Sequence, residues 1–239
     1  MIAVTFALPA ESSRFVRRLR ERQRVTCSDT RIVCGRLDGR AIAVFHTGIG
    51  EEICRRRMAD FLQDRRFPLL IGAGFAAALT DELEVGRILL AANFSTVELD
   101  RANAALSDMR PATADLATVS RILDSATDQR RTAQQTGALA ADMETDFIAR
   151  MCAEHAVPLL ALRVISDTPA RPLPAPANVL FDVAEQKTKL SRLAGHLANH
   201  PMTFPRLLLF AQQARRARRV LTIAVATLLR SDFVAPFIS

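Results

Sequence analysis

Thr136-Gly137-Ala138-Leu139-Ala140-Ala141-Asp142-Met143-Glu144 and, one helix length later, Arg163-Val164-Ile165-Ser166-Asp167 are the blocks on which the reading of this chain turns. Each is a short apolar strand, the residues between them are helical, and each strand delivers a carboxylate at its C-terminal end. In open α/β sheets ligands bind just outside the carboxyl ends of the strands, so two acids arriving there are placed for chemistry.

Outward from this pair the chain alternates strands and helices. Residues 2–8 form a continuous apolar run, the mark of a strand covered on both faces. Pro9-Ala10-Glu11-Ser12-Ser13 turns it into a helix read over 14–22, which puts a third acid, Glu11, at a strand end. Residues 31–37 and 41–46 flank Asp38-Gly39 and read as a hairpin. Thr47-Gly48-Ile49-Gly50 opens a helix over 51–63, its Gly-x-Gly fitting either a tight turn or a close backbone approach to a ligand. A strand at 67–73 runs into the small residues Gly74-Phe75-Ala76-Ala77-Ala78-Leu79, and further strands are read at 85–91 and 116–123, with a short polar helix at 128–135. Residues 93–114 have no clear period. A proline loop at 171–177 leads to a helix at 179–197, and a last helix spans 206–229. The pattern predicts a single α/β domain, a twisted, mixed and mostly parallel sheet with helices on both faces.

With 239 residues, 49% of them hydrophobic, the chain can bury one large core. Residues 1–200 are assigned to the α/β domain and 201–239 to a basic, amphipathic helical extension. Four scattered cysteines match no metal spacing and suit reduced thiols in the cytoplasm, and the short apolar N-terminus reads as a buried strand rather than a signal or a span. The net charge of +7 is concentrated at the end: from position 201 onward six arginines face one acid, Asp232. Such a helix can lie on an anionic membrane, or pack on its own domain or a second subunit. The basic balance also admits a non-catalytic lipid- or nucleic-acid-binding protein, but no tryptophan or tyrosine and no nucleic-acid motif is present.

The blocks Leu8-Pro9-Ala10-Glu11, Thr47-Gly48-Ile49-Gly50, Gly74-x-Ala-Ala-Ala-Leu with Val85-Gly86, Asp142-Met143-Glu144 and Ile165-Ser166-Asp167 resemble those of the nucleoside phosphorylase and nucleosidase superfamily, in its order, over residues 1–197. Within it, residues 136–144 and the basic tail are most similar to the hopanoid-associated phosphorylase branch, and the nucleosidases of methylthioadenosine and S-adenosylhomocysteine come next. The resemblance implies cleavage of an N-glycosidic bond with release of adenine, without a cofactor or metal. Asp167 would be the general acid at the purine N7, and Glu144, ionised, would hold the ribose hydroxyls with Met143 against the sugar. Glu11 would orient or deprotonate a water; Ser166, Phe75 and Ile122 would complete the substrate site.

Phosphate-using members place an arginine and a serine where this chain has Gly72 and Phe75, which favours hydrolysis. Phe75 also departs from the nucleosidases, and residues 93–114 are too short for their usual substrate loop. The implied substrate is adenosylhopane, met at the inner membrane face by a cytoplasmic dimer. Phosphorolysis of a purine nucleoside and hydrolysis of methylthioadenosine or S-adenosylhomocysteine are the alternatives. Taken singly, each acid also fits an ordinary helix N-cap or first-turn position. The four histidines have no catalytic spacing and are assigned to structure or surface.

Overall fold

The computed structural model describes residues 1–27, 30–63, 65–181 and 190–237. In chain order the elements are β1 (Ile2–Phe6), α1 (Pro9–Val16), β2 (Arg20–Cys27), β3 (Thr30–Leu37), β4 (Arg40–His46), α2 (Glu51–Leu62), β5 (Leu70–Ala78) and β6 (Ile88–Ala91). There follow α3 (Leu99–Ala105), β7 (Ala112–Ala114), β8 (Leu116–Thr118), α4 (Ala126–Thr136), β9 (Ala140–Asp142), α5 (Thr145–Glu154), β10 (Leu159–Asp167), α6 (Ala177–Leu180), α7 (Leu190–Asn199) and α8 (Thr203–Arg230).

The strands form one mixed sheet in the order β2-β3-β4-β1-β5-β10-β6-β7, with β9 joining β5 and β8. Its centre, β4-β1-β5-β10, is parallel. Parallel neighbours force helical crossovers that cover both faces, which is why the central strands are apolar on both sides. Ile2, Val4 and Phe6 of β1 enter a core with Phe15 of α1 and Leu221, Val225 and Leu228 of α8. Ala3 faces the other way, into a core with Met58 and Phe61 of α2 and Ile148 and Met151 of α5.

The hairpin is as read: Asp38 and Gly39 take φ of 50° and 82°, the left-handed pair a two-residue hairpin turn demands. The helix expected at 14–22 is a correction. It begins five residues earlier, at Pro9, whose fixed φ suits a first helical position, and residues 20–27 are instead strand β2. That strand is an edge, paired only with β3 and exposed along almost its whole length. It buries no face, so its charged sequence carries no alternation to read. The strand expected at 67–73 starts and ends later, since the small residues after Ala73 continue β5 to Ala78. The strand expected at 116–123 stops at Thr118, leaving 119–123 as loop. The helix expected at 179–197 is seen as α6 and α7, and its middle, 182–189, lies outside the described residues.

The last helix is twenty-eight residues long and divided in character. Ala217, Leu221, Ala224, Val225, Leu228 and Leu229 are buried in the core shared with β1 and β10, while Met202, Phe204, Leu208 and Leu209 near its start are more than half exposed. The C-terminal half is thus a structural member of the α/β unit.

One charged cluster is built into this core. Arg163 of β10, 3% exposed, donates from Nε to Asp142 Oδ2 at 2.9 Å, from Nη1 to the Gly72 and Leu162 carbonyls at 2.6 and 2.8 Å, and from Nη2 to Thr145 Oγ1. Asp142 also accepts from the Thr145 hydroxyl, from the Thr145 backbone N–H at 3.3 Å and from Thr118 Oγ1 at 3.0 Å. The pair therefore ties β10, β5, β9, β8 and the start of α5 together. Removing one partner of such a buried pair leaves an uncompensated charge, so Arg163→Leu is expected to lower stability by about 3–5 kcal/mol, read from urea unfolding midpoints. A loss below about 1 kcal/mol, the range of exposed pairs, would remove the network from this role.

Candidate active site

The three acids approach one cavity from three strand ends. Glu11 falls in the first turn of α1 because the helix starts directly after β1. It is 9% exposed, and its Oε2 accepts from the Ala7 N–H at 3.1 Å. Burial pushes its carboxyl up to about 7, against the opposing pull of Arg163, the Ala7 and Leu8 amides and Arg218.

Glu144 occupies the N-cap position of α5, but its side chain makes no capping bond; Asp142 meets the Thr145 N–H instead. Freed from that duty, Glu144 Oε1 accepts from the Gly50 N–H at 3.2 Å. Gly50 has φ +91°, a conformation L side chains rarely adopt, so the second glycine of Gly48-x-Gly50 serves to aim an amide at a carboxylate. The ionised state expected for Glu144 meets resistance in the protein alone. Burial, then Asp142, then Glu11 raise its carboxyl, and Arg163 and the Gly50 amide oppose them.

Asp167 ends β10 and is 5% exposed. Its Oδ1 accepts from Ser166 Oγ at 2.6 Å and its Oδ2 from Gln129 Nε2 at 2.7 Å. Burial raises it from 3.8 to about 6, and these two hydrogen bonds hold it from going higher.

These groups line a cavity of about 390 Å³, within the range of small-molecule sites. Every residue singled out from the sequence is in its wall: Glu11, Phe75, Ile122, Met143, Glu144, Ser166 and Asp167. Leu173 of the proline loop, Leu180 and Phe181, and Phe210, Ala214 and Arg218 of α8 close the remaining side. Sequence reasoning missed that side. Positions 210, 214 and 218 recur at helical spacing, the one signal that α8 presents a stripe to the cavity. Gln129, fully buried behind Asp167, had no signal at all in a helix that read as polar surface. A second space of about 30 Å³ shares Glu11, Glu144 and Phe75 with the first and is also lined by Thr5, Thr47 and Arg163.

His46, assigned from the sequence to structure or surface, is not among the residues lining either space. Its Nε2 is 2.8 Å from Ser12 Oγ, and burial, aided by Arg57, pushes it down to about 4, keeping the ring neutral. Among the described residues no three or more His, Cys, Asp or Glu side chains are grouped to hold a metal ion.

This architecture and site place the chain among known proteins. Residues 116–199 match the family model of the phosphorylase superfamily. No curated protein matches the chain by sequence. Among solved structures, the 5′-methylthioadenosine/S-adenosylhomocysteine nucleosidase of Neisseria meningitidis, in complex with methylthio-immucillin-A, superposes with a TM-score of 0.70 at 15% identity, over 96% of this chain and 98% of that one. The corresponding Colwellia psychrerythraea nucleosidase, in complex with adenine, gives 0.72 at 14% identity, over 96% and 94%. Futalosine hydrolase of Helicobacter pylori gives 0.61 at 16%, over 70% and 87%. Over residues 116–199 the resemblance to the nucleoside phosphorylase and nucleosidase superfamily is borne out by the phosphorylase-superfamily model, and the α/β fold is the one these nucleosidases share.

The raised carboxyls carry a stability signature. The folded protein holds protons on Glu11 that the unfolded chain releases near pH 4.5, so this contribution is present at low pH and lost as pH rises through about 7. Glu11→Gln is therefore expected to stabilise the fold at pH 8 by on the order of 2 kcal/mol and to change little at pH 4. Thermal melts of both proteins at the two pH values check this, and equal midpoints at pH 8 would contradict it.

Proposed function

We propose that this protein hydrolyses the N-glycosidic bond of an adenosine-type nucleoside and releases adenine. The observation that carries the reading is the meeting of Glu11, Glu144 and Asp167 in one cavity, each held by different partners. Bond cleavage sends the glycosidic electrons to the purine and leaves a cationic sugar. Asp167, protonated below about pH 6, delivers its proton to N7 of the leaving base. Phe75 and Ile122 pack against that base. Glu144 accepts hydrogen bonds from the ribose hydroxyls, and the developing cation favours its ionised form. Met143 packs on the sugar.

Hydrolysis is favoured over phosphorolysis by the small space beside Glu11. It has room for about one or two waters by volume, and the Thr5 hydroxyl in its wall is buried without a partner. A water there donates to Glu11, whose carboxyl at about 7 is poised to take its proton at neutral pH. Gly72 and Phe75 at the phosphate-binding positions point the same way.

The 5′ substituent is read as apolar, from Leu173, Leu180, Phe181, Phe210 and Ala214 in the wall. Adenosylhopane fits that reading, with methylthioadenosine as the small alternative. The exposed Met202, Phe204, Leu208 and Leu209, beside exposed Arg206, Arg215, Arg216 and Arg219, would seat the start of α8 on an anionic membrane, peripherally, since among the described residues no helix is long and apolar enough to cross one. A homodimer in the cytoplasm is part of the same reading.

Purified protein is expected to release adenine from 5′-substituted adenosines without phosphate, followed by chromatography; a strict phosphate requirement would overturn the hydrolytic reading. Asp167→Asn is expected to cost about 10²–10⁴-fold in turnover, and near-parental activity would remove Asp167 as the acid. The pH profile of kcat/KM is expected to be bell-shaped, with its maximum between about 6 and 7. It falls at high pH as Asp167 loses its proton, and at low pH as Glu11 gains one. Flotation with anionic vesicles is expected for the parent and lost in Leu208→Ser/Leu209→Ser; equal flotation of both would sink the membrane contact.

A further inference from the structure

Gln129 of α4 is fully buried and stands behind the acid rather than in the cavity wall. Its Nε2 donates to Asp167 Oδ2 at 2.7 Å, while its Oε1 is buried and finds no partner among the described residues. A buried carbonyl left without a donor is destabilising. Turning the amide over would set Oε1 against Oδ2, which a carboxylate rejects. The orientation with Nε2 toward Oδ2 is thus the one that suits the charged carboxylate, the species left after proton transfer. Ser166 Oγ completes the arrangement: its one proton goes to Oδ1 at 2.6 Å, the shorter of its two contacts, with the Ala76 carbonyl at 3.2 Å as the other acceptor in reach.

We propose that Gln129 is a positioning residue: with Ser166 it clamps the Asp167 carboxyl from behind and stabilises the carboxylate left once the proton has gone to the base. The inference rests on the glycosidase reading for its purpose. In the forward step the proton passes from Asp167 to N7, the glycosidic electron pair leaves with the purine, and the negative charge stays on Asp167. The two donors meet that charge at Oδ2 and Oδ1. The remaining charged groups around the cavity are Glu11 after β1, Asp142 at the end of β9, Glu144 before α5, Arg121 in the loop after β8 and Arg218 on α8. None of them hydrogen-bonds Asp167 among the described residues, whereas Gln129 and Ser166 do. Burial drives Asp167 toward its neutral form and these two bonds oppose it. Without Gln129 the acid holds its proton more tightly and its rotamer loses one of two anchors.

Nuclear magnetic resonance on ¹³C-carboxyl-labelled protein tests this, with Asp167→Asn identifying the signal. The Asp167 titration is expected near pH 6 in the parent and about one pH unit higher, a tenfold change in proton affinity, in both Gln129→Met and Gln129→Glu. The high-pH limb of kcat/KM is expected to move with it. In the parent itself the Gln129 side-chain NH₂ signals are expected to titrate at the same midpoint, which needs no variant to fold. Unmoved Asp167 midpoints in folded variants, or Gln129 signals that do not titrate, would overturn the proposal and leave Gln129 as packing only. Failure of the parent to release adenine from any 5′-substituted adenosine would overturn the glycosidase reading separately, since the titrations do not depend on turnover.

Discussion

The Asp142–Arg163 ion pair is the constraint on which both the fold and the site rest. A guanidinium at the centre of a parallel sheet is costly to desolvate, and it is tolerated because its donors find a carboxylate, two carbonyls and a hydroxyl. The consequence is geometric. The pair fixes β9 and the first turn of α5 against β10, so Glu144 and Asp167 emerge at neighbouring places from elements that cannot slide past one another. It is also electrostatic: the same arginine is the cation that opposes the burial of both Glu11 and Glu144, with Arg218 adding a smaller pull on Glu11.

Around that anchor the three acids differ by environment rather than by type. Asp167 is governed by burial and two neutral hydrogen bonds. Glu144 is raised in part by Glu11, and Arg163 opposes the rise of both. In the proposed reaction this would set Asp167, on the base, apart from Glu144 and Glu11, on the sugar and the water. Carboxylates driven apart by their surroundings are a recurrent way for one fold to run acid and base chemistry together.

Much of the central sheet and one wall of the cavity were legible in the sequence, because burial on both faces leaves continuous apolar runs and because strand ends carry their acids in fixed order. Phe75, Ile122, Met143 and Ser166 were placed by the resemblance to the nucleoside phosphorylase and nucleosidase superfamily, not by periodicity. What escaped has physical causes. Strand β2 is an edge with no buried face, so hydrophobic pattern says nothing about it. Gln129 is a polar residue whose burial is imposed by a partner thirty-eight positions away. Arg218 sits in a run of arginines, and only the three-dimensional course of α8 separates the one that lines the cavity from those facing solvent. Asp142 and Glu144 could each have capped α5, and only the hydrogen bonds show that Asp142 does so.

The helix α8 gives the cavity an adjustable wall. Phe210, Ala214 and Arg218 follow one another on the stripe that lines the site, while Leu221, Ala224, Val225 and Leu228 further along lock the helix into the core. The rotation and height of the helix are thus set at one end, and the shape of the pocket at the other. A chain built this way can be re-lined for a longer, shorter or more polar ligand one side chain at a time, with the register of the wall held constant and the carboxylates left where they are.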